Sequence, residues 1–370
     1  MNLIQDGEVD SDLLFINFNQ DSTSLLVGTR SGYKVISFTS PEDIKLCDIV
    51  THEEIFILER CFLSSLMALV SLSSPRKLRI VHFNKNVQVT TPRCYDNSIL
   101  AVKLNRKRII VLLEETIYIH DAASDNFMQD LYRINQTTPN LNRLCALSPA
   151  NASVFAYPGS NSTGEVIIYD TLNLRYKIAI NAHDNPLAAL AFNFDGEMLA
   201  TASEKGTIIR VHNVADGSLI HEFRRGFTRC VDIHSLSFSR NSNFLCASSN
   251  TETVHIFKIE DPSSSRSSEE SASWINYLGK ASETYLPTNI SRVLNQWRSF
   301  AICKLPLKNL KTVCAITEME EKMRVLVATG DGYLYIYDFN VNEGGECNLL
   351  KQHQIDQIPI HPVDSKGLAG

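Results

Sequence analysis

The chain has 370 residues, 44% of them hydrophobic, and a formal net charge of -6. That balance excludes the diffuse attraction by which polybasic proteins hold nucleic acid or anionic membranes, so any anion site has to be local and shaped. No apolar run has the length that spans a bilayer, Met1-Asn2-Leu3 opens no signal-peptide pattern, and nine cysteines lie scattered without a Cys-x-x-Cys pair, which predicts an intracellular protein with free, buried thiols.

Short apolar runs with β-branched and aromatic alternation recur along the chain, and no sustained helical stripe comes before about residue 290. Strands of similar wording fall at 33–38, 78–83, 116–121, 166–170, 208–214, 253–259 and 333–339. Their ends lie roughly 38 to 49 residues apart, the period of a four-stranded WD-type blade, except for a last gap longer by about 37. The pattern predicts an all-β chain: a seven-bladed β-propeller of WD-like repeats, four antiparallel strands per blade, with a long insertion in blade six. One domain is expected over residues 1–356, with the insertion at 261–298 and a flexible tail at 357–370. A final outer strand at 347–355 lets the ring close by packing of the first blade on the last, with no strand borrowed from the N-terminus.

In chain order, the first distinctive segment is Leu104-Asn105-Arg106-Lys107-Arg108, a basic cluster at the turn between two strands of blade three. By itself it reads as a solvated charged turn. In blade five, strands are expected at 187–192, 198–203, 207–214 and 219–225. The last of these ends in Phe223-Arg224-Arg225-Gly226. Adjacent residues on an extended strand project to opposite faces, so the two arginines cannot share one ligand. Guanidinium forks match phosphate oxygens, and the pair therefore reads as two anion sites side by side; the alternative is a basic strand end facing water. Thr201, Ser203 and Thr207 of blade five align with Ala247, Ser249 and Thr253 of blade six, giving a hydroxyl set on each side of the pair. Gly206 and Gly226 would supply backbone N-H groups, and Arg210, His183 and His255 further charge. The same hairpin, Ser203-Glu204-Lys205-Gly206-Thr207, is also close to an ordinary WD-repeat turn.

The insertion opens with Ser263 to Ser268 followed by Glu269 and Glu270, too polar to fold by itself; phosphates added there would repel an anionic membrane. It then turns apolar. Both tryptophans of the chain, Trp274 and Trp297, lie here with Ile275, Tyr277 and Leu278. Ile290, Val293, Leu294 and Trp297 share one face of a short predicted helix, which suits either a membrane interface or a cap folded on the propeller. No serine or cysteine has a recognisable base partner and no metal-ligand spacing is present, so neither catalysis nor a metal or other cofactor is expected.

The Phe-Arg-Arg-Gly motif, preceded by Ala182-His183-Asp184-Asn185-Pro186-Leu187 and Ser203-Glu204-Lys205-Gly206-Thr207 and followed by Ser249-Asn250-Thr251-Glu252-Thr253-Val254-His255, resembles the PROPPIN family, the polyphosphoinositide-binding propellers of autophagy, in its WIPI branch. The likeness covers nearly the whole chain. It implies a non-catalytic effector of phosphatidylinositol 3-phosphate and phosphatidylinositol 3,5-bisphosphate, cytoplasmic and recruited peripherally to pre-autophagosomal, endosomal or lysosomal/vacuolar membranes. Carried over by position, site one would use His183, Thr201, Ser203, Gly206, Thr207, Arg210 and Arg224. Site two would use Arg225, Gly226, Ser249, Thr253 and His255. The insertion, through Trp274, Ile275, Tyr277, Leu278 and Trp297, would contact the membrane. Arg106 and Arg108 would dock an acidic segment of the autophagy conjugation scaffold. The competing expectation is a WD-repeat scaffold whose arginines hold acidic peptides without lipid.

Overall fold

The structure, a computed structural model, describes residue 3 and residues 12–82, 87–123, 127–150, 152–226, 230–259 and 298–360. Seven sheets follow one another along the chain. Blade one is β1 (Leu13–Phe18), β2 (Ser24–Thr29), β3 (Gly32–Phe38) and β4 (Ile44–Val50). Blade two is β5 (Ile55–Arg60), β6 (Leu66–Ser71) and β7 (Lys77–His82), with the short β8 (Val87–Gln88) and β9 (Arg93–Cys94) both paired to β7. Blade three is β10 (Ala101–Leu104), β11 (Arg108–Leu112), β12 (Thr116–Asp121) and β13 (Asp130–Asn135). Blade four is β14 (Ala146–Leu147), β15 (Val154–Pro158), β16 (Gly164–Asp170) and β17 (Arg175–His183). Blade five is β18 (Leu187–Phe192), β19 (Met198–Ser203), β20 (Ile208–Asn213) and β21 (Leu219–Arg224). Blade six is β22 (Ile233–Phe238), β23 (Phe244–Ser249), β24 (Thr253–Lys258) and β25 (Ala301–Lys304). Blade seven is β26 (Thr312–Met319), β27 (Lys322–Thr329), β28 (Tyr333–Asp338) and β30 (Asn348–Gln354), with the two-residue β29 (Gly345–Glu346) before its outer strand.

The seven strands predicted from repeated wording are the third strands of the blades, β3, β7, β12, β16, β20, β24 and β28, each within two residues of its expected ends. The architecture is the expected seven-bladed propeller. Second strands such as β2 and β23 are buried along their whole length, because blades stack on both faces and a strand covered on both sides becomes a continuous apolar run. One pairing departs from the four-strand pattern: β29 pairs in parallel with β25, so the segment before the last strand adds a fifth strand to blade six. Cys347, expected in the final outer strand, instead follows that crossing and is buried.

The ring closes through an apolar seam. Leu13, Ile16, Leu25 and Leu46 of blade one pack with Val313, Leu326, Leu334 and Ile336 of blade seven, and Ile355 and Ile358 fill the same cluster. All of blade one's strands come from its own stretch of chain, as expected for closure without strand exchange. The chain stays ordered beyond residue 356, where Ile358 is buried and Ile360 bridges to Leu46; residues 361–370 lie outside the described set. All nine cysteines are free, but the expectation that they are buried holds unevenly, since Cys94 and Cys230 are exposed.

Candidate functional site

The arginine pair is held by the residue before it. Phe223 is buried and its ring stacks on Phe257 of blade six, centroids 4.8 Å apart and 20° from parallel. This fixes the end of β21 against the neighbouring blade, and strand alternation then sends the next two side chains apart. Arg224 falls on the side of Glu222, whose Oε1 lies 3.4 Å from its Nη2. Arg225 turns toward blade six, where its Nη2 donates to Thr251 Oγ1 at 2.5 Å, while its backbone N-H donates to the Thr207 carbonyl at 3.1 Å.

On the Arg224 side, Arg210 of β20 joins the same carboxylate. Its Nε donates to Glu222 Oε2 at 2.9 Å, and its Nη1 reaches the Ala182 carbonyl of blade four at 2.5 Å. Two half-exposed guanidinium groups thus flank one carboxylate at the boundary of blades four and five. The hydroxyls expected there are deeper than the arginines. Thr201 is fully buried and its Oγ1 meets His183 Nε2 at 2.9 Å, a bond that ties blade five to blade four; Ser203 and Thr207 are also buried.

On the Arg225 side the hydroxyls form a chain. Ser249 Oγ lies 2.9 Å from Thr251 Oγ1, which lies 3.4 Å from Thr253 Oγ1, which in turn lies 3.2 Å from His255 Nε2. Thr251 is the member that sequence comparison of the two blades missed, because its counterpart in blade five is Lys205. Glu222 was missed as well, although a residue two before Arg224 on a strand must share its face.

The histidines do not add charge, contrary to expectation. Burial, then the nearby Arg210 charge, holds His183 at about 4. Burial, then Arg225, holds His255 at about 4 as well. Both are neutral hydrogen-bonding groups near pH 7, and they add no charge to that of the guanidinium groups.

Gly206 sits where only glycine fits. Its φ is +64°, and a Cβ there would lie 1.9 Å from the Val231 carbonyl oxygen. Its N-H closes the turn onto Ser203 O at 2.8 Å. Among the described residues nothing lies within 4 Å of where a Cβ on Gly226 would stand. Residues 227–229 and 260–297 lie outside the described residues, and with them Trp274, Ile275, Tyr277, Leu278, Trp297 and the helix expected at 290–297. The insertion leaves from Lys258 and returns at Ala301; pairing of Thr253 with Lys304 puts the site-two hydroxyls at the other end of the same strand pair. Of the blade-three cluster, Arg106 is exposed and lies over the Phe62 ring, 4.3 Å from its centroid. Arg108 is mostly buried: its Nε donates to Thr171 O of blade four at 2.8 Å and its Nη1 lies 3.5 Å from Asp121. Among the described residues no group of acidic, histidine and cysteine side chains is placed to hold a metal, and no helix is long and apolar enough to cross a membrane.

The PROPPIN family model matches residues 12–356. The WD repeat domain phosphoinositide-interacting protein 2 of Gallus gallus is 50% identical over 363 residues, covering 96% of this chain and 82% of that protein. Autophagy-related protein 18 of Caenorhabditis elegans is 38% identical over 358 residues, covering 92% of this chain and 85% of its own. Among solved structures, the complex of KlAtg21 with the coiled-coil of AgAtg16 superposes with a TM-score of 0.70 at 25% identity, covering 94% of this chain and all of that one.

Proposed function

Because the chain belongs to the PROPPIN family, we propose that it is a non-catalytic phosphoinositide effector with two head-group sites, one at Arg224 and one at Arg225, that read phosphatidylinositol 3-phosphate and phosphatidylinositol 3,5-bisphosphate. The observation that carries this reading is the divergence of the pair: Arg224 lies with Glu222 of blade five, and Arg225 with Thr251 of blade six. Each guanidinium has hydroxyl or guanidinium company suited to a phosphate, and the two are held on one strand end. The relatives' names, phosphoinositide-interacting and autophagy-related, support the ligand class and the pathway.

Two weak pockets on one molecule gain avidity of roughly 10² to 10⁴ when both engage a bilayer, which suits a protein of net charge -6 that no diffuse attraction holds. The aromatic insertion adds interfacial burial in this proposal. Arg224→Thr and Arg225→Thr are each expected to weaken flotation with phosphatidylinositol 3-phosphate vesicles, and the double variant to abolish it. Full flotation of the double variant, or equal binding to phosphatidylserine vesicles of matched charge, contradicts the reading and leaves the peptide-binding scaffold.

Recruitment is the second half of the proposal. The KlAtg21 structure holds a coiled-coil partner, and the exposed Arg106 is a suitable contact for an acidic segment of such a partner. Arg108 is a poor probe, because its bonds tie blade three to blade four. Arg106→Glu is expected to lose capture of the coiled-coil while keeping vesicle flotation; retained capture removes Arg106 from the interface.

A further inference from the structure

The inner strands of the blades surround an axial cavity of about 660 Å³. One of its mouths is cationic. Along the inner strands, register shifts between Leu13 and Phe15, Ile55 and Ile57, Leu187 and Ala189, and Ile233 and Ser235 each leave one extra residue. Such a bulge re-aims the side chain it adds. In blade six the extra residue is His234, which lines the cavity and whose Nδ1 lies 3.4 Å from Thr312 Oγ1 of blade seven. Next to Thr312, Lys311 lines the same mouth.

Opposite stands Arg143, on the loop into blade four. Its φ is +60°, a conformation that costs a non-glycine residue about 1–2 kcal/mol. Buried Asn140 enforces it: the Asn140 carbonyl accepts from the Arg143 N-H at 3.1 Å, and its side chain both donates to Leu144 O at 2.8 Å and accepts from Leu144 N-H at 2.9 Å. Among the described residues neither Arg143 nor Lys311 has an ion-pair partner, whereas Lys103, deeper in the cavity, is neutralised by Glu59. Asp232, two residues before His234 in the chain and close enough to act on its charge, is exposed and accepts from the Asn250 side chain at 2.9 Å. Burial, and then the Arg143 charge, pushes the Lys311 ammonium below its ordinary range. Two cations brought to one mouth with no carboxylate paired to either among the described residues are a site that an anion completes.

We propose that this axial mouth binds a small soluble polyphosphate anion, with Arg143 and Lys311 as its charged contacts and His234 and Asn142 on its rim. It is separate from the arginine pair, which belongs to the outer strand of blade five. Inorganic tripolyphosphate is the probe, titrated calorimetrically into the full chain carrying Arg224→Thr and Arg225→Thr so that the outer sites are silent. One equivalent is expected to bind, and Arg143→Gln or Lys311→Gln to weaken it at least about tenfold, the loss of one charge-assisted contact. Without anion, either variant is expected to melt no lower than its parent, since one of two repelling charges is gone. In the otherwise unaltered chain, both are expected to leave vesicle flotation unchanged. Absence of binding, equal affinity in the glutamine variants, or a drop in their anion-free melting temperature overturns the proposal. Loss of flotation would overturn it too, because the anion would then be a membrane head group.

Discussion

Glu222 sets the terms on which a phosphate enters the Arg224 side. Its carboxylate holds both Arg210 and Arg224, so a phosphate must take those guanidinium groups in the presence of a like charge. Glu222→Gln keeps a hydrogen-bond acceptor and removes the repulsion. It is expected to tighten head-group binding about two- to fivefold, the worth of a partly exposed ion pair; unchanged or weaker binding would mean that the carboxylate serves mainly to position the arginines. The buried histidines make a separate prediction for stability. His183, His212, His234 and His255 stand at about 4 in the folded chain, against 6.5 for an unperturbed group. Between those values the unfolded chain binds more protons, so stability is lost as pH falls from 6.5 toward 4. Thermal melts across that window check it, and a flat profile contradicts it. At this scale the arginine pair was legible because strand alternation is a local rule. The neutrality of the histidines was not, because it depends on burial that only the stacked blades create.

Among the elements, the hairpin between β19 and β20 carries the tightest backbone constraint. Gly206→Ala places a Cβ against the Val231 carbonyl of the next blade at a positive φ, and a cost of at least about 1–3 kcal/mol is expected. The denaturant midpoint reads it, and an unchanged midpoint would show that the turn yields. The third strands were legible from wording alone because each pairs on both sides and packs on both faces. The parallel pairing of β29 with β25 was not, since two residues carry no period. Thr251 escaped for a related reason: it sits in a turn, where blade-to-blade alignment brings a lysine opposite a threonine.

Taken as a whole molecule, the propeller places its candidate head-group contacts and the base of the insertion on the outer strands of blades five and six. Arg224 and Arg225 end the outer strand of blade five, and the insertion leaves the outer strand pair of blade six from the end away from Thr253. A blade strand of six residues spans about 20 Å, so both features meet one flat surface only if the propeller stands with the outer edges of these blades along it. Everything in that arrangement depends on the two guanidinium groups serving different ligands. A crystal of the chain grown with a soluble inositol 1,3-bisphosphate measures this directly. The account predicts two bound head groups, one on Arg224 with Arg210 and one on Arg225 with Thr251; a single head group gripped by both arginines, or both guanidinium groups idle in solvent, would contradict it.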